Sequence, residues 1–296
     1  MSRLVRSIRV LLPLLTIALA GALTSCGDDS TPQGPDGSTS GLSGHFVDSY
    51  VQGLSYASGS TTGSTGANGK FFFEKDTDVS FAVGDIALGT GTPAAVMSPL
   101  QLVLGAVGVT NPTVTNLCRF LQTIDNDANP ANGIVITSAV VAAAAGQSIN
   151  FEQDTGSFGS DPNVQSVVSA LTTATAAGER ALVGVAEAQA QLTSGLREAY
   201  VGSNSDYNGD FCVDQQSGQT NGGTWAMEVA ADGSVSIGFD GTPTFTATGT
   251  MDLLGNVTAT ALGGVEVYGA FDPDFVGRWY AGEASGSFSE SADCSH

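Results

Sequence analysis

From about residue 206 onward the chain alternates apolar with small or polar residues in short runs, and this period of two constrains its fold more than any other feature. Six runs carry it, at 224–229, 235–239, 244–251, 257–261, 265–271 and 277–288. Turn sequences separate them: Ala231-Asp232-Gly233, Leu254-Gly255-Asn256 and Gly263-Gly264. Such alternation sets one side of each strand on a core and the other towards water. Near-regular spacing then predicts an antiparallel sandwich or small barrel. The 39 glycines among 296 residues support many turns over a helical bundle. Just upstream, Asn204 to Asp210 reads as a turn leading into the first strand.

The period changes between 98 and 200, where apolar residues recur at helical spacing. Thr110-Asn111-Pro112 supplies a cap and a first-turn proline for a helix through Ile124, with Val114, Leu117, Leu121 and Ile124 on one face. A short Ala/Val segment follows at 138–145. Asp161-Pro162 opens a further helix to about Thr172, and a longer one is expected from about Thr175 to Tyr200 despite Gly184 and Gly195.

Residues 45–97 return to short strands. Val47, Val51, Leu54 and Tyr56, then Gly69-Lys70-Phe71 and Phe73, follow an order that resembles the prealbumin-like β-sandwich modules of secreted bacterial proteins. The C-terminal stretch in turn resembles the glycine-rich β meanders that end many exported bacterial proteins. Both likenesses imply fold and no activity. The expected class is α+β, mainly β: a small N-terminal β-sandwich, a central helical segment and a C-terminal sandwich or barrel. The expected divisions are 1–25, 26–44, 45–97, 98–200 and 201–296.

The first of these divisions is an export signal. Arg3, Arg6 and Arg9 precede the uncharged stretch 10–23, which is too short to span a bilayer and is interrupted by Pro13. It ends in Leu23-Thr24-Ser25-Cys26, which resembles the bacterial lipobox. That resemblance implies cleavage before Cys26, diacylglycerol on its thiol, acyl chains such as palmitate in the membrane, and a chain that works at the cell envelope. Gly27 in place of Asp after the cysteine implies outer-membrane sorting in a Gram-negative host. Residues 27–44 are a polar spacer with only Leu42 apolar.

Signal removal takes three of the nine basic residues and no acid, leaving six cations against 29 acids. A surface of that sign repels phosphate backbones and excludes nucleic acid as a natural partner, while envelope or extracellular proteins and glycans remain. Export also places Cys118, Cys212 and Cys294 in an oxidising compartment. Cys212 and Cys294 lie near the two ends of the C-terminal β region and are expected to pair, stapling its last strand to its first. Cys118 falls in a helical pattern as a small core residue.

One loop is rich in hard-cation ligands. Asp125, Asp127, Asn129 and Asn132 place oxygens at alternating positions directly after a helix, a pattern that suits calcium. Pro130 stands where an EF-hand has its turn glycine, and Ile136 where it has a bidentate glutamate. Asx-turns and helix caps explain the same composition. No catalytic residue is assigned: the chain lacks a Gly-x-Ser-x-Gly elbow, an HExxH helix and a phosphate loop, and its histidines are His45 and His296. These features lead to the expectation of a non-enzymatic binding, adhesion or scaffolding lipoprotein. Two rivals stand beside it. One is a small-ligand carrier whose barrel cavity is lined by Trp225, Phe239 and Phe271; the other is a polysaccharide hydrolase using paired acids such as Asp76 and Asp78, or Asp272 and Asp274.

Overall fold

The computed structural model describes residues 42–272, 274–291 and Cys294. The signal segment, Cys26 and the spacer as far as residue 41 lie outside the described residues, as do the side chains of Asp272 and Asp274. Described residues from 42 onward form one compact unit. Among them no helix is long and apolar enough to cross a membrane.

The chain opens with β1 (Leu42–Phe46), β2 (Val51–Gln52), β3 (Ser55–Ser58), β4 (Thr61–Ser64), β5 (Lys70–Phe73), β6 (Val79–Val83), β7 (Ile86–Gly91) and β8 (Val96–Met97). Two sheets result, ordered β5-β1-β8 and β4-β3-β6-β7. Alternation dictates which side chains meet: Phe46 of β1 and Phe71 of β5 lie 4.7 and 5.1 Å from Phe81 of β6, ring centre to ring centre.

Helices α1 (Pro99–Leu102) and α2 (Pro112–Thr123) follow, then β9 (Ile134–Val135), α3 (Ser138–Ala143), α4 (Thr155–Ser160), α5 (Pro162–Thr173) and α6 (Val185–Tyr200). Asn111 caps α2 through Thr113 N and Val114 N, with Pro112 in the first turn. Sequence periodicity gives α2 one apolar face, yet every residue from Val114 to Thr123 is buried. Leu117, Phe120, Leu121 and Ile124 join the core of the N-terminal sheets, α4 and α5. Val114 and Cys118 join a second core with α6 and the barrel. The polar side chains between those faces hold loops: Asn116 Nδ2 donates to the Phe151 and Gln153 carbonyls (3.1 and 2.9 Å), and Arg119 to those of Val183 and Thr155 (2.8 and 2.9 Å), while Asn116 Oδ1 is buried without a partner.

The expected helix over 175–200 begins only at Val185, with Gly184 as its N-cap. Residues 174–184 are drawn across to α2 instead. Val183 N donates to Thr123 Oγ1 (2.9 Å), and Ala176 N and Ala177 N donate to Asn126 (3.0 Å each), so the backbone finds partners outside a helix.

The C-terminal part is a closed eight-stranded barrel: β10 (Gly202–Gln215), β11 (Gly218–Val229), β12 (Ser234–Gly241), β13 (Phe245–Met251), β14 (Val257–Ala261), β15 (Val265–Asp272), β16 (Asp274–Ala281) and β17 (Ala284–Ser289). Each strand is antiparallel to the next, and β17 closes on β10 with Phe211 opposite Phe288. Two strands beyond the six expected account for closure. Residues 204–210 fall within β10, whose register with β11 breaks between Gly202 and Tyr207, which hides the strand; Gly282, at φ +64°, turns the expected last run into a hairpin. Cys212 and Cys294 lie at disulfide distance, Cα to Cα 5.5 Å, across the closing seam.

Outward positions of β13 and β14, Thr246, Thr248, Thr250, Thr258 and Thr260, are exposed, whereas Trp225, Ile237, Phe239, Val267, Phe275, Trp279 and Phe288 are buried. That polarity is the reverse of a lipid-facing barrel. An eight-stranded barrel is just wide enough to be filled by side chains or to hold one small ligand. Here rings meet across the lumen. Phe288 lies 5.0 Å from Trp225 and 5.1 Å from Phe239, and Trp225 lies 5.7 Å from Phe275. Glycines on neighbouring strands make the room: a methyl added at Gly269, Gly277 or Gly286 would overlap the ring of Phe275, Phe288 or Trp279. Tyr200 at the end of α6 stacks on Phe271 at 5.5 Å and covers one end of the barrel.

Candidate functional site

A tight turn links β1 to β2. Val47 and Tyr50 bridge across it, and Ser49 adopts φ +45°, a left-handed backbone uncommon outside glycine and asparagine. The turn is clamped from two sides. Asp48 points inward and accepts from Gln122 Nε2 of α2 (2.8 Å), while Gln191 Nε2 of α6 donates to Ser49 Oγ (2.6 Å). Gly195 of α6 allows the approach: a Cβ there would stand 2.6 Å from Ser49 N. The glycine that weakened the helical pattern thus marks where the turn docks.

Beside this turn lies an open cleft of about 400 Å³. Tyr50, Gln52, Asn68, residues 131–135 and Glu198 of α6 line it. Ile134 N donates to the Tyr50 carbonyl (3.0 Å) and Ile136 N to that of Gln52 (2.9 Å), which fixes β9 against β2. His45 Nδ1 donates to the Asn68 carbonyl (2.8 Å) and its ring meets Tyr50 edge-on at 5.9 Å. Three lining residues have positive φ: Ser49, Asn68 at +56° and Gly133 at +103°. Backbone held in such conformations concentrates where a binding surface is pre-formed. Burial first, and the Glu198 carboxylate second, push the Tyr50 phenol up, which keeps it a neutral donor.

Of the four expected calcium ligands, only Asn132 lines this cleft. Asp125 is buried, its oxygens accepting from Val135 N and Asn129 N (2.9 Å each). Asp127 accepts from Asn129 N and Asn132 Nδ2 (3.0 Å each). Arg180 donates to the Asp125 carbonyl from behind. Burial pushes the Asp125 carboxyl up, whereas the Asn132 amide holds that of Asp127 down. Calcium takes six to eight oxygens converging on a point. These carboxylates converge on backbone N–H groups and the Asn132 amide instead and do not fit such a cage; they build the Asx-type turn that shapes the cleft wall.

The remaining sequence candidates lie apart. Cys118 is a free, buried thiol in α2. Asp76 and Asp78 are exposed, the latter accepting from Thr92 Oγ1 (3.2 Å). Trp225 and Phe239 are packed into the barrel interior rather than around a cavity. Sequence reasoning missed Tyr50, Asn68 and Glu198; only His45-Phe46-Val47-Asp48-Ser49-Tyr50, polar residues interrupting a strand pattern, signals a turn there.

No family model, curated protein or solved structure matches this chain. The cleft offers a phenol with an apolar ring face, several amides and, among the described residues, a single carboxylate and no cation. That set hydrogen-bonds hydroxyls, with the Tyr50 phenol and the Glu198 carboxylate as its two titratable groups.

Proposed function

We propose that this chain is a lipid-anchored envelope protein with a non-enzymatic binding role, and that the Tyr50 cleft takes a neutral, polyhydroxylated ligand such as a saccharide unit of an envelope or extracellular glycan. The cleft itself supports this reading: Tyr50, Gln52, Asn68, Asn132 and Glu198 put phenol, amide and carboxylate groups around one open space. A cation-free lining in an acidic protein disfavours phosphorylated or sulfated polymers. The anchor rests on the lipobox at 23–26, with residues 27–44 as the spacer that holds the folded part off the membrane. In a Gram-negative host the reading places it at the outer membrane. We read the two N-terminal sheets as the sandwich module, because Phe46, Phe71 and Phe81 close the space between them.

The carrier alternative loses support because rings occupy the barrel lumen. Two experiments test the proposal. Growth of the host with labelled palmitate should label the protein, and Cys26→Ala should abolish the label; an unlabelled wild type removes the anchor. Titration with soluble neutral oligosaccharides should shift the NMR signals of Tyr50 and Asn68 saturably, while shifts elsewhere alone would remove the cleft.

A further inference from the structure

Arg119 is among the few cations of a strongly acidic chain, and it is buried on α2, 8% exposed. Its Nε and Nη1 donate to neutral backbone carbonyls, those of Val183 and Thr155. Among the described residues no carboxylate pairs with it, and Nη2 has no hydrogen bond. Nη2 faces Gly159, where a Cβ would stand 3.1 Å away. Arg180 lies on the same open cleft of about 540 Å³. It donates to Thr175 Oγ1 and the Gly178 carbonyl (2.9 Å each) and to the Asp125 carbonyl, while its Nε is buried without a partner. The Arg119 guanidinium lies over the Phe158 ring at 5.8 Å, and the Asp125 and Asp127 carboxylates act on Arg180 through space. Among the described residues, however, neither cation has a carboxylate in salt-bridge contact, and an oxyanion is the partner whose geometry matches a guanidinium fork. The rest of the lining narrows the class. Leu182 presents apolar surface with the buried Val164 and Val168 behind it, while Gln165 and Ser169 add amide and hydroxyl groups. Glu179 stands in the same lining, accepting from Ser169 Oγ, and repels ligands carrying more than one negative charge.

We propose that this cleft, between α2, α5 and residues 178–182, binds a small aliphatic monocarboxylate, its carboxylate on Arg119 and Arg180 and its chain along Leu182. The site is separate from the Tyr50 cleft, so either can fail without the other.

Calorimetric titration of the purified protein with hexanoate, hexanol and sulfate at fixed ionic strength tests the proposal. Hexanoate should bind saturably at one site, hexanol should not, and sulfate should bind more weakly than hexanoate. Arg180→Gln should weaken hexanoate about tenfold through loss of a charged hydrogen bond, and Glu179→Gln should strengthen it about threefold by removing a like charge. Both leave the α2 contacts of Arg119 in place; Arg180→Gln also removes donors to Thr175, Gly178 and Asp125, so an unchanged urea midpoint is required before its affinity is read, and the exposed Glu179→Gln gives the independent reading. Hexanoate binding no tighter than hexanol, sulfate tighter than hexanoate, or hexanoate affinity unchanged in both variants would overturn it.

Discussion

Asp48 is wholly buried, with Gln122 Nε2 on one oxygen, the Cys118 thiol beside it and its second oxygen without a partner. Burial pushes its carboxyl up to about 8, against hydrogen bonds from Gln122 and Cys118 that pull it down. The unfolded chain ionises this group near the ordinary value of 3.8, so between there and about 8 the native state holds the extra proton. Stability therefore falls as pH rises through that window and levels off above it. Asp48→Asn, which carries the neutral form's shape, should remove this contribution. Urea unfolding at pH 5 and pH 8 should show wild type losing on the order of 3 kcal/mol more than the variant across that interval. Equal losses would place a charged Asp48 in the native state. Nothing in the residues around 48 announces this burial, because a strand-to-turn junction is normally where an acid reaches water; the burial follows from Gln122 and Gly195, which arrive from helices far along the chain.

At the scale of elements, alternation in 224–288 made the barrel strands readable, and the Asn111-Pro112 and Asp161-Pro162 signals made α2 and α5 readable. β10 was not, since its apolar residues cluster late and a bulge near Phe211 and Cys212 breaks its register. The pairing of glycine with a facing ring was equally hidden, because it joins adjacent strands rather than adjacent residues. Gly277→Ala should force the Phe288 ring to shift and destabilise the barrel by about 2 kcal/mol in chemical denaturation; a neutral effect would mean the lumen is looser than described. The loop at 125–133 carried a calcium-like composition because the same oxygens suit Asx-turns. With those oxygens already on N–H groups, the melting temperature in millimolar calcium and in chelator should coincide. A calcium-dependent rise of several degrees would contradict this assignment of the loop.

For the whole molecule, the sequence texture of β, then helix, then β is real, but texture cannot show that α2 is shared. Leu117 and Phe120 enter one core while Val114 and Cys118 enter the other, and α6 lies on both the Ser49 turn and the barrel end. Periodicity reports which faces are apolar and is silent on which partner covers each. A helix common to two cores couples their unfolding, so scanning calorimetry should give a single transition with matching calorimetric and van't Hoff enthalpies. Two resolved transitions would separate the barrel from the N-terminal part. The same arrangement sets the Tyr50 cleft where the first turn, the 125–133 loop and α6 meet, which is why Tyr50, Asn68 and Glu198 could not be grouped from their positions in the chain. The central claim, that this cleft binds a neutral glycan, is tested most directly by calorimetric titration of soluble envelope oligosaccharides into wild type, Tyr50→Ala and Glu198→Gln. Wild type should bind saturably, about tenfold or more tightly than either variant, in which ring stacking or a charged hydrogen bond is lost; binding that both variants retain unchanged would rule out this cleft as the glycan site.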